Sequence, residues 1–142
     1  MNLCLRLATP DDLPSLLEIE AACFGTPNWQ TDDFSRYTTV VAEVDSKIAG
    51  FLVSRQIYSG LSSDAPEREI LNVAVAPPFR RIGIATSLLK RELQFKAVHF
   101  LEVRESNQAA QALYRKIGFI EIDRRPQYYT SPEETAIVMQ LK

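Results

Sequence analysis

The stretch from Ile70 to Leu93 constrains this chain more than any other part of it. An apolar run, Ile70-Leu71-Asn72-Val73-Ala74-Val75-Ala76, is closed by Pro77-Pro78 and followed by Arg80-Arg81-Ile82-Gly83-Ile84-Ala85. From Ile84 onward the apolar residues take helical spacing, through Leu88, Leu89 and Leu93. A strand therefore leads into a small-residue turn, and the turn into a helix. That order can turn a row of backbone N–H groups, at the positive end of a helix dipole, outward as an anion site. Gly83 has no Cβ, so a phosphate can come close to the backbone, and Ala85 is nearly as small. The turn has too few glycines, at the wrong spacings, for a Walker loop or a dinucleotide fingerprint. Such connections also occur without any ligand in α/β folds. On these residues alone the turn is either an anion site or a plain connection.

The rest of the chain sets the frame for that turn. Its 142 residues suit one domain with a sizeable core, so residues 1–142 are expected to form a single domain. The formal net charge of −2 argues for neither a nucleic-acid surface nor a membrane surface. No apolar run approaches the roughly 18 residues of a membrane span, and no basic start precedes an apolar block, so a cytoplasmic protein is expected. Cys4 and Cys23 are the two cysteines. They make neither a disulfide framework nor a zinc set, and both are expected as buried reduced thiols; no metal is expected.

Periodicity gives a mixed layout. Leu3, Leu5 and Leu7 alternate as a first strand, and Thr9-Pro10-Asp11-Asp12 reads as the start of a helix with Leu13, Leu16, Leu17 and Ala21 on its apolar stripe. Loop and short helix, with Pro27 and Trp29, are expected over 24–35. Two strands, 40–44 and 48–54, flank the turn Asp45-Ser46-Lys47, and a polar loop follows over 59–66. A strand over 67–76, a helix over 83–95 and a strand over 98–103 come next. Ser106-Asn107 can cap a helix running to about Lys116, which Gly118 can end. Strands over 119–123 and 135–141 complete the chain.

A second constellation lies in that C-terminal half. Glu102 and Arg104 share one face of their strand and Leu101 and Val103 the other. Glu102 is either a surface carboxylate paired along the strand with Arg104, or a functional group. Tyr114 shares a helix face with Ala110, Leu113 and Ile117, and is either core packing or functional. If the two face one cleft, a carboxylate and a phenol there can act as general base and general acid. Arg124-Arg125 reads as a solvated strand end. His99, the single histidine, carries no assigned role.

With these residues the chain resembles the GNAT superfamily of N-acetyltransferases. Arg80-x-x-Gly83-x-Ala85 fits its signature Gln/Arg-x-x-Gly-x-Gly/Ala. The C-terminal half resembles the RimI type, the ribosomal-protein alanine N-acetyltransferases, in Leu101-Glu102-Val103-Arg104, Ser106-Asn107, Ala112-Leu113-Tyr114, Ile117-Gly118-Phe119, Arg124-Arg125, Tyr128-Tyr129, Glu134 and Ala136-Ile137-Val138-Met139. The likeness covers residues 67–142. It departs from the family in Ala85 for the second glycine, in the short connection over 94–99, and in a long polar loop over 56–66.

The resemblance implies an α+β (α/β) fold: a mixed, mostly antiparallel sheet of six or seven strands flanked by about four helices. It implies acetyl-CoA as cosubstrate, with Arg80, Arg81, Ile82, Gly83, Ile84 and Ala85 on its pyrophosphate. The backbone of Val73, Ala74 and Val75 would pair with the pantetheine arm, and Asn107 would contact the cofactor. Glu102 matches the general base and Tyr114 the general acid, and Tyr128 and Tyr129, taken to lie between the last two strands, would flank an incoming peptide. The 24–30 and 56–66 segments would border the acceptor groove.

The chemistry asks for those types. An acceptor ammonium must lose a proton before it attacks a thioester, and a carboxylate can take it. A phenol, with a pKa of about 10, can return a proton to the leaving thiolate, while backbone N–H groups stabilise the oxyanion. The expected acceptor is a protein or peptide N-terminus, foremost the N-terminal alanine of a small-subunit ribosomal protein, and the enzyme is expected as a monomer or weak homodimer. The competing expectations are a lysine side chain or small-molecule amine as acceptor, or an acyl-CoA-binding module without catalysis.

Overall fold

The computed structural model describes residues 2–24, 31–57, 66–130 and 133–142. Its elements are β1 (Leu3–Leu7), α1 (Leu13–Phe24), α2 (Thr31–Arg36), β2 (Thr38–Val44), β3 (Lys47–Ile57), β4 (Glu67–Val75), α3 (Ile84–Glu92), β5 (Val98–Arg104), α4 (Gln108–Ile117), β6 (Ile120–Thr130) and β7 (Glu133–Leu141). The strands hydrogen-bond in the order β1-β2-β3-β4-β5-β7-β6. The β4–β5 pair is parallel, and β1–β2, β2–β3, β5–β7 and β6–β7 are antiparallel. This is the mixed, mostly antiparallel α+β sheet that the resemblance implies. Most of the expected 59–66 loop, and the 25–30 segment with Trp29, lie outside the described residues.

The chain divides into two compact units, Met1–Arg55 with Leu71–Phe95, and Gln56–Ile70 with Lys96–Lys142. In the first, β2 and β3 form a hairpin whose turn residues Asp45 and Ser46 have φ of 48° and 69°. Positive φ at both positions is the primed turn that matches strand twist, here made without a glycine. Lys47 already belongs to β3. The core gathers Leu16 and Ile19 of α1, Phe34 of α2, Val41, Phe51 and Val53 of the hairpin, and Ala74 of β4. Phe34 and Phe51 meet edge to face at 5.4 Å.

The first helix does not begin at Pro10 as an α-helix. Pro10–Asp12 is a 3-10 turn, and α1 starts at Leu13. The Asp12 carboxylate accepts the Thr9 N–H at 2.7 Å and is gripped by both terminal nitrogens of Arg6 at 2.8 and 3.0 Å. The cysteine expectation is also corrected: Cys4 is exposed and Cys23 only partly covered. Cys4 lies on β1, an edge strand that has a partner on one side only.

In the second unit, Glu67–Ile70 of β4 lies parallel to Val98–Leu101 of β5. His99, Leu101 and Val103 point into the protein, and Glu102 and Arg104 share the opposite face of β5. Asn107 caps α4 with its Oδ1, which accepts the Ala110 N–H at 3.2 Å. Gly118, at φ 127°, ends that helix.

Candidate active site

In the first unit the candidate residues gather at the β4–α3 turn. Gly83, at φ 85°, is the N-cap of α3, and no side chain caps the first turn. The helix start therefore keeps its N–H groups for another acceptor. A Cβ on Gly83 would have nothing within 4 Å, so the space over this backbone is open. Arg81 also has positive φ, 65°, a costly conformation for a side chain that is not glycine. The Arg80 side chain turns back: its Nε donates to the Val75 carbonyl at 3.1 Å and its Nη2 reaches Cys23 Sγ at 3.3 Å. The Cys23 thiol donates to the same carbonyl at 3.4 Å. Arg80 thus braces the end of β4. Beneath that strand Gly50 gives Ala74 room, since a Cβ there would stand 2.7 Å from the Ala74 oxygen.

In the second unit the candidate residues lie on one face of β5, β7 and β6. Glu102 lies opposite Val138 of β7, and Arg104 opposite Ala136. From the other side Arg125 of β6 also lies opposite Ala136, and Tyr129 opposite Glu134. Opposed residues of a sheet share a face, so Glu102, Arg104, Glu134, Arg125 and Tyr129 project together. Arg125 reaches over β7, two strand spacings or about 10 Å, and its Nη1 donates to Glu102 Oε1 at 2.8 Å.

That alignment rules out one of the two readings of Glu102 and corrects the reading of Arg125. Glu102 pairs with Arg125 and not with Arg104; Arg104 binds Glu134 at 3.3 Å and stacks its guanidinium 4.2 Å from the Tyr129 ring centroid. Arg125, read from sequence as a solvated strand end, is the partner of the proposed base. Arg124 is likewise engaged, by Glu121 and Glu105, both at 3.0 Å. Nothing local in the sequence signals the Glu102–Arg125 pair, whose members are 23 positions apart.

Tyr128 and Tyr129 lie within β6 rather than between strands. Between Arg125↔Ala136 and Tyr129↔Glu134, β6 advances four residues while β7 advances two. Pro126 and Gln127, at φ 56°, take up the excess as a bulge. A proline is tolerated there because β6 is an edge strand and a bulge needs fewer ladder bonds. The bulge breaks the strand alternation. Consecutive tyrosines come to lie with ring centroids 5.1 Å apart, and the Arg125 guanidinium sits 4.8 Å from the centroid of Tyr128.

The phenols differ in what acts on them. Glu102, as a hydrogen-bond acceptor, pushes the Tyr128 phenol upward. Desolvation, then the charge of Glu102, pushes Tyr129 up to about 12. Burial alone lifts Tyr114 to about 12. Tyr114 packs edge to face on Phe119, centroids 5.9 Å apart, and its carbonyl accepts the N–H groups of Gly118 and Phe119. The structure therefore joins Glu102 electrostatically to the β6 tyrosines, while Tyr114 answers to its apolar surroundings. Among the described residues, no three His, Cys, Asp or Glu side chains gather as a metal ion would require. Nor is any described helix long and apolar enough to cross a membrane.

Comparison with known proteins shows what the chain is similar to. The model of the Acetyltransferase (GNAT) family matches residues 9–119. The chain is 34% identical, over an alignment of 153 residues covering 99% of it and 97% of the relative, to the ribosomal protein bS18-alanine N-acetyltransferase of Salmonella typhimurium. It is 31% identical to an N-alpha-acetyltransferase of Sulfurisphaera tokodaii, over 94% of this chain and 80% of that one. Among solved structures, the ribosomal-protein-S18-alanine N-acetyltransferase of Escherichia coli superposes with a TM-score of 0.82 at 31% identity, covering 99% of this chain and 93% of that one.

Proposed function

The chain belongs to the acetyltransferase (GNAT) family, and on that premise we propose that it transfers the acetyl group of acetyl-CoA to the N-terminal α-amine of a protein, foremost an N-terminal alanine of a small-subunit ribosomal protein. The observation that carries this reading is the shared face of Glu102, Tyr128 and Tyr129, a carboxylate on β5 and two phenols on β6, brought to one surface across β7. Identity of 34% along nearly the whole length to an enzyme named for the bS18 alanine supports the acceptor.

Acetyl-CoA supplies the thioester carbon that the amine attacks. In this reading Arg80, Arg81, Ile82, Gly83, Ile84 and Ala85 hold its pyrophosphate, and the open backbone at Gly83 with the uncapped start of α3 suits that anion. The backbone of Val73, Ala74 and Val75 takes the pantetheine arm, and Asn107 contacts the cofactor through the amide nitrogen left over from its capping role. Glu102 accepts the proton of the arriving ammonium, so that the amine lone pair becomes a nucleophile. Tyr114 returns a proton to the departing sulfur. A phenol at about 12 stays protonated at neutral pH, as a proton donor must. Tyr128 and Tyr129 line the entry of the peptide. The whole of residues 1–142 acts as a single domain, in the cytoplasm, as a monomer or weak homodimer.

The test is acetylation of a mixed pool followed by mass spectrometry. The pool holds peptides with free Ala, Ser, Met or Gly N-termini, an N-blocked peptide with an internal lysine, and polyamines. Acetylation led by the free Ala peptide is expected. Product on lysine or polyamine alone would overturn the acceptor, and acetyl-CoA binding without product on any amine would overturn the enzyme.

A further inference from the structure

The Glu102 carboxylate does not stand free to receive an ammonium. One of its oxygens, Oε1, already accepts a charged N–H from Arg125 at 2.8 Å. The contact involves one nitrogen and one oxygen rather than the two parallel bonds of a fork. Arg125 is the outer partner: its side chain is 53% exposed and that of Glu102 only 18%. A half-solvated, single-contact pair of this kind is weak and easily exchanged. In that same position the guanidinium also lies against the Tyr128 ring, 4.8 Å from its centroid, a contact that does not depend on Glu102.

We propose that Arg125 is a positioning residue that occupies the ammonium's place on Glu102 until the acceptor arrives. The proposal rests on the function given above, and on Glu102 as its base. The acceptor α-ammonium is a cation that donates N–H to the same carboxylate oxygen. It displaces the guanidinium, which gives up the carboxylate oxygen and keeps the Tyr128 ring it already lies against. One N–H proton then passes from the ammonium to Glu102, leaving a neutral amine and a neutral carboxylic acid. Arg125 thus keeps the carboxylate oriented and its charge matched between turnovers, and every acceptor has to compete with it. Tyr128 serves the exchange because the β6 bulge sets its ring beside both Arg125 and Glu102.

Steady-state kinetics on a free-Ala peptide, with acetyl-CoA saturating, tests this. Removing the competitor in Arg125→Gln should lower the peptide KM by roughly two- to fivefold, the range of an exposed ion pair. The KM for acetyl-CoA should stay put. Arg125→Lys, which keeps a cation within reach, should bring the peptide KM back toward the wild-type value, and both variants should melt within a few degrees of wild type. A peptide KM that rises in Arg125→Gln, or a tenfold loss of kcat at constant KM, would overturn the displacement. A wild-type enzyme that acetylates only lysines or polyamines would instead sink the N-terminal acceptor, a separate failure visible before any variant is made.

Discussion

Gly50 on β3 and Ala74 on β4 approach so closely that the hydrogen of a glycine fills the space between them. A Cβ on Gly50 would lie 2.7 Å from the Ala74 carbonyl oxygen and 3.3 Å from Val75 Cα. Both obstacles are backbone of the strand end that is proposed to receive the pantetheine arm, the same end that Arg80 and Cys23 brace through the Val75 carbonyl. Gly50→Ala should therefore push β4 away from β3. We expect a loss of roughly 1–3 kcal/mol, the usual cost of overpacking, read by chemical denaturation, together with weaker acetyl-CoA binding by calorimetry. A variant that is stable and binds acetyl-CoA as the wild type does would disconnect this strand end from the cofactor.

Glu102→Gln keeps the shape of the side chain and its contact with Arg125 but removes the proton acceptor. The expected result is a fall in kcat of about 10²- to 10⁴-fold, the usual contribution of a positioned base, with acetyl-CoA affinity little altered. Single-turnover kinetics beside a binding titration separates the two. Near wild-type turnover would strip Glu102 of its role.

Tyr114→Phe should lower kcat throughout the neutral range, because the phenol at about 12 remains protonated there. By the same value, a basic limb in the wild-type rate below about pH 10 cannot arise from Tyr114. The linkage sign is that of an acid raised on folding: the contribution to stability is complete below the unfolded phenol's pKa and disappears as pH rises through about 12. Unchanged kcat in Tyr114→Phe would reassign the proton donor, with Tyr129 the next to test.

Asp12 and Arg6 make the pH dependence of stability on the acid side. The two hydrogen bonds from Arg6 hold the Asp12 carboxyl down at about 2, against an ordinary value near 3.8. A depressed carboxyl adds stability that is full above the unfolded pKa and is lost as pH falls through the folded one, so the loss runs from about pH 4 to about pH 2. Solvent reaches 32% of the Arg6 side chain, so after screening the pair contributes roughly 1–2 kcal/mol. Asp12→Asn should lower the melting temperature at pH 7 and flatten its decline below pH 4. An unaltered acid profile would place the titration elsewhere.

How much of this was legible beforehand depends on the range of the interaction. Residues 67–118 read correctly to within a few positions, because a strand's period, the Asn107 cap and the Gly118 stop are local properties of the chain. The β4–α3 turn was visible for the same reason: Gly83 and the apolar spacing after it lie within one short stretch. The reading stopped at Asp123 in β6, where Pro126 signals a break. The structure carries the strand on to Thr130, since an edge strand with a bulge can hold a proline.

The sequence by itself determined the elements, the residue types able to move protons, and the turn whose backbone can meet a phosphate. Tertiary structure alone decided that Glu102 faces Arg125 and that Arg104 belongs to Glu134 and Tyr129. It also decided that two consecutive tyrosines serve the same surface. Each of those relations crosses β7 or turns on a two-residue excess in register, and the pairing of distant strands fixes both. Side-chain spacing along one strand carries no record of which residues a neighbouring strand will set beside it.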